Sequence, residues 1–190
     1  MALRALTAAL VLAVPVALVG AQGKTTAPES FKVNGQILGA AGGVASAMTM
    51  AIDKYTSEDD HKALADTLKT GGHAAFVDAL RKAPAIGTVT IGERTFTVRW
   101  ARTLPVGRDH RRVALVTDQP IFFAGAGAVD AKPTAGYDLA VIEFTIDSVG
   151  LGKGTMAPAA RVKAGGPTGV EVDDYSGKRV ELMTVRREMK

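Results

Sequence analysis

The chain has no cysteine among its 190 residues, which excludes disulfide bonds, thiol nucleophiles and thiolate-bound metal ions. Histidine is also scarce. His61, His73 and His110 are the three present, and no two of them have the spacing of a metal-binding pair on one helix or strand. The glycine-rich run at 150–155 lacks the residue order of a phosphate-binding loop. The sequence therefore predicts no metal ion and no cofactor.

A strong charge of one sign is missing as well. The 23 Lys and Arg residues are nearly balanced by 19 Asp and Glu residues, and the formal net charge is +4 with histidine neutral. So mild a charge does not indicate binding to nucleic acid or to an anionic membrane. After residue 18, no apolar run approaches the roughly 20 residues that a membrane-spanning helix needs. We therefore expect no nucleic-acid partner and no stable membrane span after processing.

The first 21 residues have the three parts of a signal peptide. Arg4 supplies the positive charge, residues 5–18 are apolar apart from Thr7, and Val19 and Ala21 are small residues at the two recognition positions of a cleavage site. The sequence therefore predicts cleavage after Ala21, a flexible leader over 22–29 and a single domain over 30–190. A periplasmic or secreted location follows from that reading.

The remaining chain mostly alternates between apolar and polar side chains, which is the pattern of half-buried strands. About eight or nine short strands, separated by turn residues, predict a mainly β fold. We expect an antiparallel meander that forms a barrel or a half-closed barrel, with a two-sheet sandwich as the alternative. Between about 57 and 83 the period becomes helical, and Gly71 and Gly72 separate two helices. This predicts an αα-hairpin across one end or one face of the sheet.

Five residues are candidates for a ligand-binding site: Glu143, Arg99, Arg102, Trp100 and Asp118. Glu143 lies in the middle of a strand; inside a barrel, burial would raise the pKa of its carboxyl unless an arginine paired with it. Arg99 and Arg102, from a neighbouring hairpin, are the expected partners. A solvated strand face or a structural ion pair is the plainer interpretation of Glu143.

Trp100 is the single tryptophan of a chain with only 5% aromatic residues. Simple alternation places it on the same strand face as Phe96 and Val98. It is either part of the core or a stacking platform supported by the arginines beside it. A basic cluster at 108–112 is likewise either an anion site or a solvated hairpin tip.

Four segments of the sequence resemble, as a set, a group of small exported bacterial proteins of unassigned function. They are Ile52–Asp60, Leu64–Lys69, Arg99–Arg102 and Arg111–Ile121. The resemblance extends from about Phe31 to Val185. It implies export and a single domain, and it carries over no catalytic residue.

The architecture favours a non-enzymatic binding module whose partner is a small apolar molecule or another envelope protein, because closed β-sheets often enclose ligands. One alternative is an exported hydrolase or isomerase that uses Glu143 or Asp118 as acid or base and an arginine to hold an anionic substrate. Another is a structural envelope subunit that pairs with its partner through a sheet edge. An enclosed apolar cavity containing Glu143 and an arginine would favour binding. An open cleft joining Glu143 or Asp118 to a histidine would favour catalysis, and a packed interior with a bare hydrophobic sheet edge would favour assembly.

Overall fold

The computed structural model describes residues 27–37, 45–122 and 134–188. The predicted signal peptide at 1–21 and most of the predicted leader lie outside these ranges. The described part of the chain contains nine strands and one helical element. In chain order they are β1 (Glu29–Ile37), β2 (Ala45–Ile52), α1 (Glu58–Lys82), β3 (Gly87–Ile91), β4 (Arg94–Val106), β5 (His110–Thr117), β6 (Leu139–Asp147), β7 (Leu151–Gly165), β8 (Gly169–Tyr175) and β9 (Val180–Glu188).

Eight of these strands close into an antiparallel barrel. Each strand from β1 to β7 pairs with the next, and β9 closes the ring by pairing with both β7 and β1. Strand β8 lies outside the ring, where it pairs with residues 160–165 of β7, while β9 pairs with residues 151–156. The prediction of a mainly β barrel is confirmed, in its closed form and not as a sandwich. The meander holds from β1 to β8, and only β9 departs from it.

The barrel interior is filled with apolar side chains. Phe31, Met50, Ile52 and Phe144 are among the largest, and none exceeds 2% exposure. The rings of Phe31 and Phe144 meet edge to face with their centroids 5.0 Å apart. An eight-stranded barrel is just wide enough for side chains to fill it. The described interior is therefore packed with apolar side chains.

A buried ion pair closes one end of this core. Strand β1 begins at Glu29, inside the predicted leader, and the Glu29 side chain is only 5% exposed. Arg111 holds both of its carboxylate oxygens, Nη2 to Oε1 at 2.5 Å and Nη1 to Oε2 at 2.9 Å. The hydroxyl of Tyr55 donates to Oε2 at 2.6 Å and accepts from Arg111 Nη1 at 3.1 Å. Burial, followed by the hydrogen bond to Glu29, raises the pKa of Tyr55.

Helix α1 covers the outer face of the barrel and confirms the helical insertion predicted near 57–83. Ser57 caps it by accepting a hydrogen bond from the Asp60 amide at 3.1 Å. Gly72 breaks the helix with φ 71° and ψ −167°, a conformation open to glycine. The two predicted helices are thus two segments of one element that meet at Gly72. None of the described helical residues forms a stretch long and apolar enough to cross a membrane.

The buried face of α1 packs on side chains that point out of the barrel wall. Together they form a second apolar cluster, separate from the barrel interior. Its members are Leu64, Leu68, Phe76, Val77, Leu80, Trp100, Ala114, Val116, Leu139, Val141, Ala157, Ala160, Val162 and Val170. The barrel wall is therefore apolar on both sides wherever the helix covers it.

A β-bulge in β4 changes which residues face the interior. The register with β5 shifts between Val98 and Trp100, so Arg99 is an extra residue that has no paired residue on β5. Phe96 and Val98 point into the barrel, whereas Trp100 points outward under α1 and Ala101 takes the next inner position. The expectation that Trp100 shares a face with Phe96 and Val98 was wrong, because alternation does not continue through an extra residue.

Candidate functional site

Glu143 lies on the outer face of β6 and not in the barrel interior. It follows Leu139 and Val141, which pack under α1, whereas Ile142 and Phe144 point inward. Both faces of β6 are apolar because the helix covers the outer one. Alternation alone could not show which face is the inner one.

The side chain of Glu143 lines an open cavity of about 410 Å³, which we name the hairpin cleft. Residues of β5, β6, β7 and β8 form its walls, together with the turn before β8. Val141, Ala157 and Val170 supply apolar surface, and Thr155 adds a hydroxyl. The volume is in the range of roughly 300–1,000 Å³ typical of small-molecule sites.

Two partly buried charged side chains of opposite sign face this cleft without a protein partner. Burial raises the pKa of the Glu143 carboxyl, and the positive charges of Arg112 and Arg179 oppose that shift. Within the described residues, the Glu143 carboxylate has no ion pair within 4.0 Å and no hydrogen bond, and the same holds for the Arg112 guanidinium. Arg179 is exposed and donates to Thr155 Oγ1 at 2.9 Å. Glu143 and Arg112 therefore attract each other across the cleft but do not touch.

Arg99 and Asp118 pair with each other, away from the cleft. Arg99 Nε lies 2.6 Å from Asp118 Oδ2, and its Nη1 donates to the carbonyl of Ala83 at 2.6 Å. These contacts fasten the bulge of β4 to the end of α1. The expected pairing of Arg99 with Glu143 is therefore not found, and Asp118 is held by an arginine.

Arg102 and Trp100 lie under the first turn of α1. Arg102 Nη2 bonds both oxygens of Glu58, at 3.1 and 3.2 Å, and so it does not pair with Glu143 either. Trp100 is 1% exposed, and its ring centroid lies 6.0 Å from that of His61. Because α1 encloses the ring, a ligand stacks on Trp100 only if the helix moves.

A second cavity, of about 440 Å³, lies between the two segments of α1 and the chain that flanks them. We name it the helix groove. Leu64 and Ile86 form part of its apolar floor. Of its charged residues only Arg99 is not fully exposed, and that guanidinium is already held by Asp118 and Ala83. The helix groove therefore offers apolar surface but no unpaired buried charge.

His61 and His73 lie on α1, away from Glu143. His73 accepts from the Val162 amide at Nδ1, 3.2 Å away, and its Nε2 lies 3.4 Å from Asp138 Oδ2, which ties α1 to β7. In the described ranges no histidine lines the hairpin cleft with Glu143. No group of three or more metal-ligating side chains occurs there that could hold a metal ion.

Arg112 was predicted only as part of a basic turn, and Arg179 was not predicted at all. In the structure Ala114 faces Glu143 across β5 and β6, and Arg112 lies two residues along β5 on the same outer face. It is therefore a diagonal neighbour of Glu143. Finding it from the sequence requires the register between β5 and β6, which the residue pattern does not give.

Comparison with known proteins adds no second line of evidence. No protein-family model, no curated protein and no solved structure matches the chain. The resemblance to small exported bacterial proteins stays a prediction from the sequence. Function has to be inferred from the residues of the cleft.

Proposed function

We propose that this protein is a non-enzymatic binding module that holds a small zwitterionic molecule in the hairpin cleft. The observation that carries the proposal is the unpaired, partly buried carboxylate of Glu143 facing the equally unpaired guanidinium of Arg112. A charge removed from water without a partner costs free energy, and a ligand that supplies the opposite charge recovers part of it. An amino-acid-like molecule offers an ammonium group for Glu143 and a carboxylate for Arg112.

The geometry of the sheet suits a ligand of that size. Diagonal neighbours on one sheet face have Cα atoms about 7–8 Å apart. Because the Glu143 carboxylate and the Arg112 guanidinium do not come within 4.0 Å of each other, an ammonium and a carboxylate on one carbon atom could bridge them. Val141, Ala157 and Val170 border the cleft and would contact a short aliphatic side chain of the ligand.

Two of the other acidic side chains of the cleft are already engaged. Asp173 pairs with Arg161 at 3.1 Å, and Asp174 accepts a hydrogen bond from the Tyr137 hydroxyl at 2.7 Å. Glu143 differs from these two carboxylates in having no partner among the described residues. Glu171 also lines the cleft, but its side chain is exposed, so Glu143 is the partly buried carboxylate that an ammonium would meet.

The proposal keeps the binding role predicted from the sequence and changes the chemistry of the ligand. Apolar side chains pack the interior of the described barrel, and the cleft with its charged lining lies outside it. Pairing with an envelope protein through β8 is disfavoured, because Glu171, Asp173 and Asp174 put exposed negative charge on that outer strand. The hydrolase alternative gains no support, since Asp118 is held by Arg99. Export to the periplasm or beyond remains part of the proposal, on the evidence of residues 1–21.

The test is a thermal-shift screen of the purified protein with the common α-amino acids, followed by calorimetry with the best binder. Two analogues of that binder, one without the ammonium and one without the carboxylate, should each bind at least about tenfold more weakly, because each loses one charge pair. Glu143→Gln and Arg112→Gln should both remove binding. Glu93→Gln and Arg108→Gln, at exposed turns, should leave it unchanged. If no amino acid shifts the melting temperature, or if the single-charge analogues bind equally well, the proposal is wrong.

A further inference from the structure

The buried polar atoms that lack a partner all fall in one place. Among the described residues they are Nδ1 of His61, Nε1 of Trp100, and Nε and Nη1 of Arg102. Buried nitrogens of this kind are almost always hydrogen-bonded in folded proteins, and leaving them unbonded costs free energy. Four orphaned nitrogens on three neighbouring side chains point to a bound group that satisfies them.

The fold brings these three side chains together from two elements. Trp100 and Arg102 are alternate residues of β4 beyond the bulge, so both point outward under α1. His61 lies in the first turns of α1, with its ring centroid 6.0 Å from that of Trp100. Gly169, at the start of β8, covers the ring of His61 so closely that an added Cβ would lie 2.8 Å from Cε1. The cluster is thus enclosed by wall, helix and hairpin.

Nearly all of the available groups are hydrogen-bond donors. The indole of Trp100 and the guanidinium of Arg102 can only donate, and His61 donates from Nδ1 in one of its tautomers. Such a set requires oxygen acceptors, and the guanidinium adds positive charge. We propose that His61, Trp100 and Arg102 form a second binding site, which accepts a small oxyanion such as phosphate, sulfate or a carboxylate.

An anion can reach this site by displacing the carboxylate of Glu58 from Arg102. Its carboxylate holds Arg102 Nη2, yet the Glu58 side chain is 72% exposed while that of Arg102 is 18% exposed. An ion pair so open to solvent contributes little stability, so an arriving anion can take the place of Glu58. The carboxylate of Glu58 thus already accepts the hydrogen bonds of Arg102 Nη2, the outermost nitrogen of the site. Removing the Glu58 carboxylate should therefore strengthen anion binding.

The site is separate from the hairpin cleft. Arg102 pairs with Ala114, and Ala114 pairs with Glu143, so Arg102 and Glu143 are two strands apart, or about 10 Å at the usual spacing. The oxyanion site uses neither Glu143 nor Arg112. Oxyanion binding at this site can therefore be tested independently of ligand binding in the hairpin cleft.

The chain contains one tryptophan, so a single indole N–H resonance and the intrinsic fluorescence both report on Trp100. The experiment titrates the protein with inorganic phosphate, sulfate and acetate, with chloride at matched ionic strength as the control. We expect a saturable shift of the indole resonance with at least one oxyanion and none with chloride. Glu58→Gln should lower the dissociation constant severalfold, and Arg102→Gln should remove the response.

Arg102→Lys is the substitute variant if Arg102→Gln does not fold, because lysine keeps the positive charge but lacks the unpaired guanidinium donors. Arg102→Lys should weaken oxyanion binding at least tenfold. Arg108→Gln, at an exposed turn, should behave as wild type. The proposal is overturned if no oxyanion shifts the indole resonance in wild type or in Glu58→Gln. It is also overturned if chloride acts equally or if Arg102→Lys responds as wild type does. A third outcome would also overturn it. If the indole proton exchanges magnetisation with a long-lived bound water, and no oxyanion changes that exchange, then water alone fills the site.

Discussion

Replacing Glu143 by glutamine should stabilise the unliganded protein at neutral pH. The native carboxylate is partly buried without a partner, and burial raises its pKa above the ordinary 4.5. A buried group left unsatisfied costs about 1–3 kcal/mol. Because Glu143 keeps some exposure and Arg112 and Arg179 offset part of the cost, we expect a gain of about 0.5–1 kcal/mol. In a domain of this size that is about 1–4 °C in melting temperature.

The pH dependence of this gain has a definite sign. Because the folded-state pKa is raised, the native protein binds the Glu143 proton more tightly than the unfolded chain does. The carboxyl therefore contributes stability below about pH 4.5 and loses it as the pH rises through the folded-state pKa. The advantage of glutamine should be present at pH 7 and disappear below about pH 4.5.

Thermal unfolding of wild type and Glu143→Gln across this pH range is the assay, with Glu93→Gln at an exposed turn as the matched control. A loss of more than about 1 kcal/mol at pH 7 would refute the reasoning. It would mean that Glu143 stabilises the fold through an ion pair, the plainer interpretation of this residue. A gain in stability together with a loss of ligand is instead typical of a functional group held at a cost to the fold.

Three further predictions concern the barrel end and the N-terminus. Glu29→Gln leaves Arg111 without its charge partner and should cost about 3–5 kcal/mol in urea unfolding. Glu188→Gln, whose partner Lys32 is 70% exposed, should change the stability little, and equal losses would contradict the role of the buried pair. The raised pKa of Tyr55 means that wild type loses stability as the pH rises above about 10, and unfolding at high pH should show less of that loss in Tyr55→Phe. Intact mass spectrometry of the exported protein should give a chain that begins at residue 22, and a full-length soluble product would contradict the predicted cleavage.

Sequence pattern was sufficient for the strands themselves because turn glycines bound many of them. Strands β3 (Gly87–Ile91) and β8 (Gly169–Tyr175) each begin at a glycine. Each follows a turn or loop segment, and β3 keeps a period of two over its whole length, so local chemistry fixes where these strands begin. The helical insertion was predictable for the same reason, since Ser57 and Gly72 mark its start and its break.

The inward and outward faces were not predictable, because they depend on contacts between distant segments. In β6 the residues on both sides of the strand are apolar, and only the position of α1 shows that Glu143 points out. In β4 the extra residue Arg99 reverses the alternation, and nothing in the run from Phe96 to Trp100 marks it. The partners of Glu143 could not be inferred for the same reason, since they follow from strand register.

The length of β7 explains why a charged cleft exists on this barrel at all. Residues 151–156 close the barrel with β9, and residues 160–165 continue beyond it to carry β8. The chain thereby adds β8 and α1 as a second layer outside the wall, with an apolar cluster of its own. The hairpin cleft is lined by residues of this outer layer and of the outward wall, such as Val141 and Val170, and the barrel interior does not line it. Unpaired charges such as Glu143 therefore lie on the outward side of the wall, where they do not disturb the packing of the barrel interior.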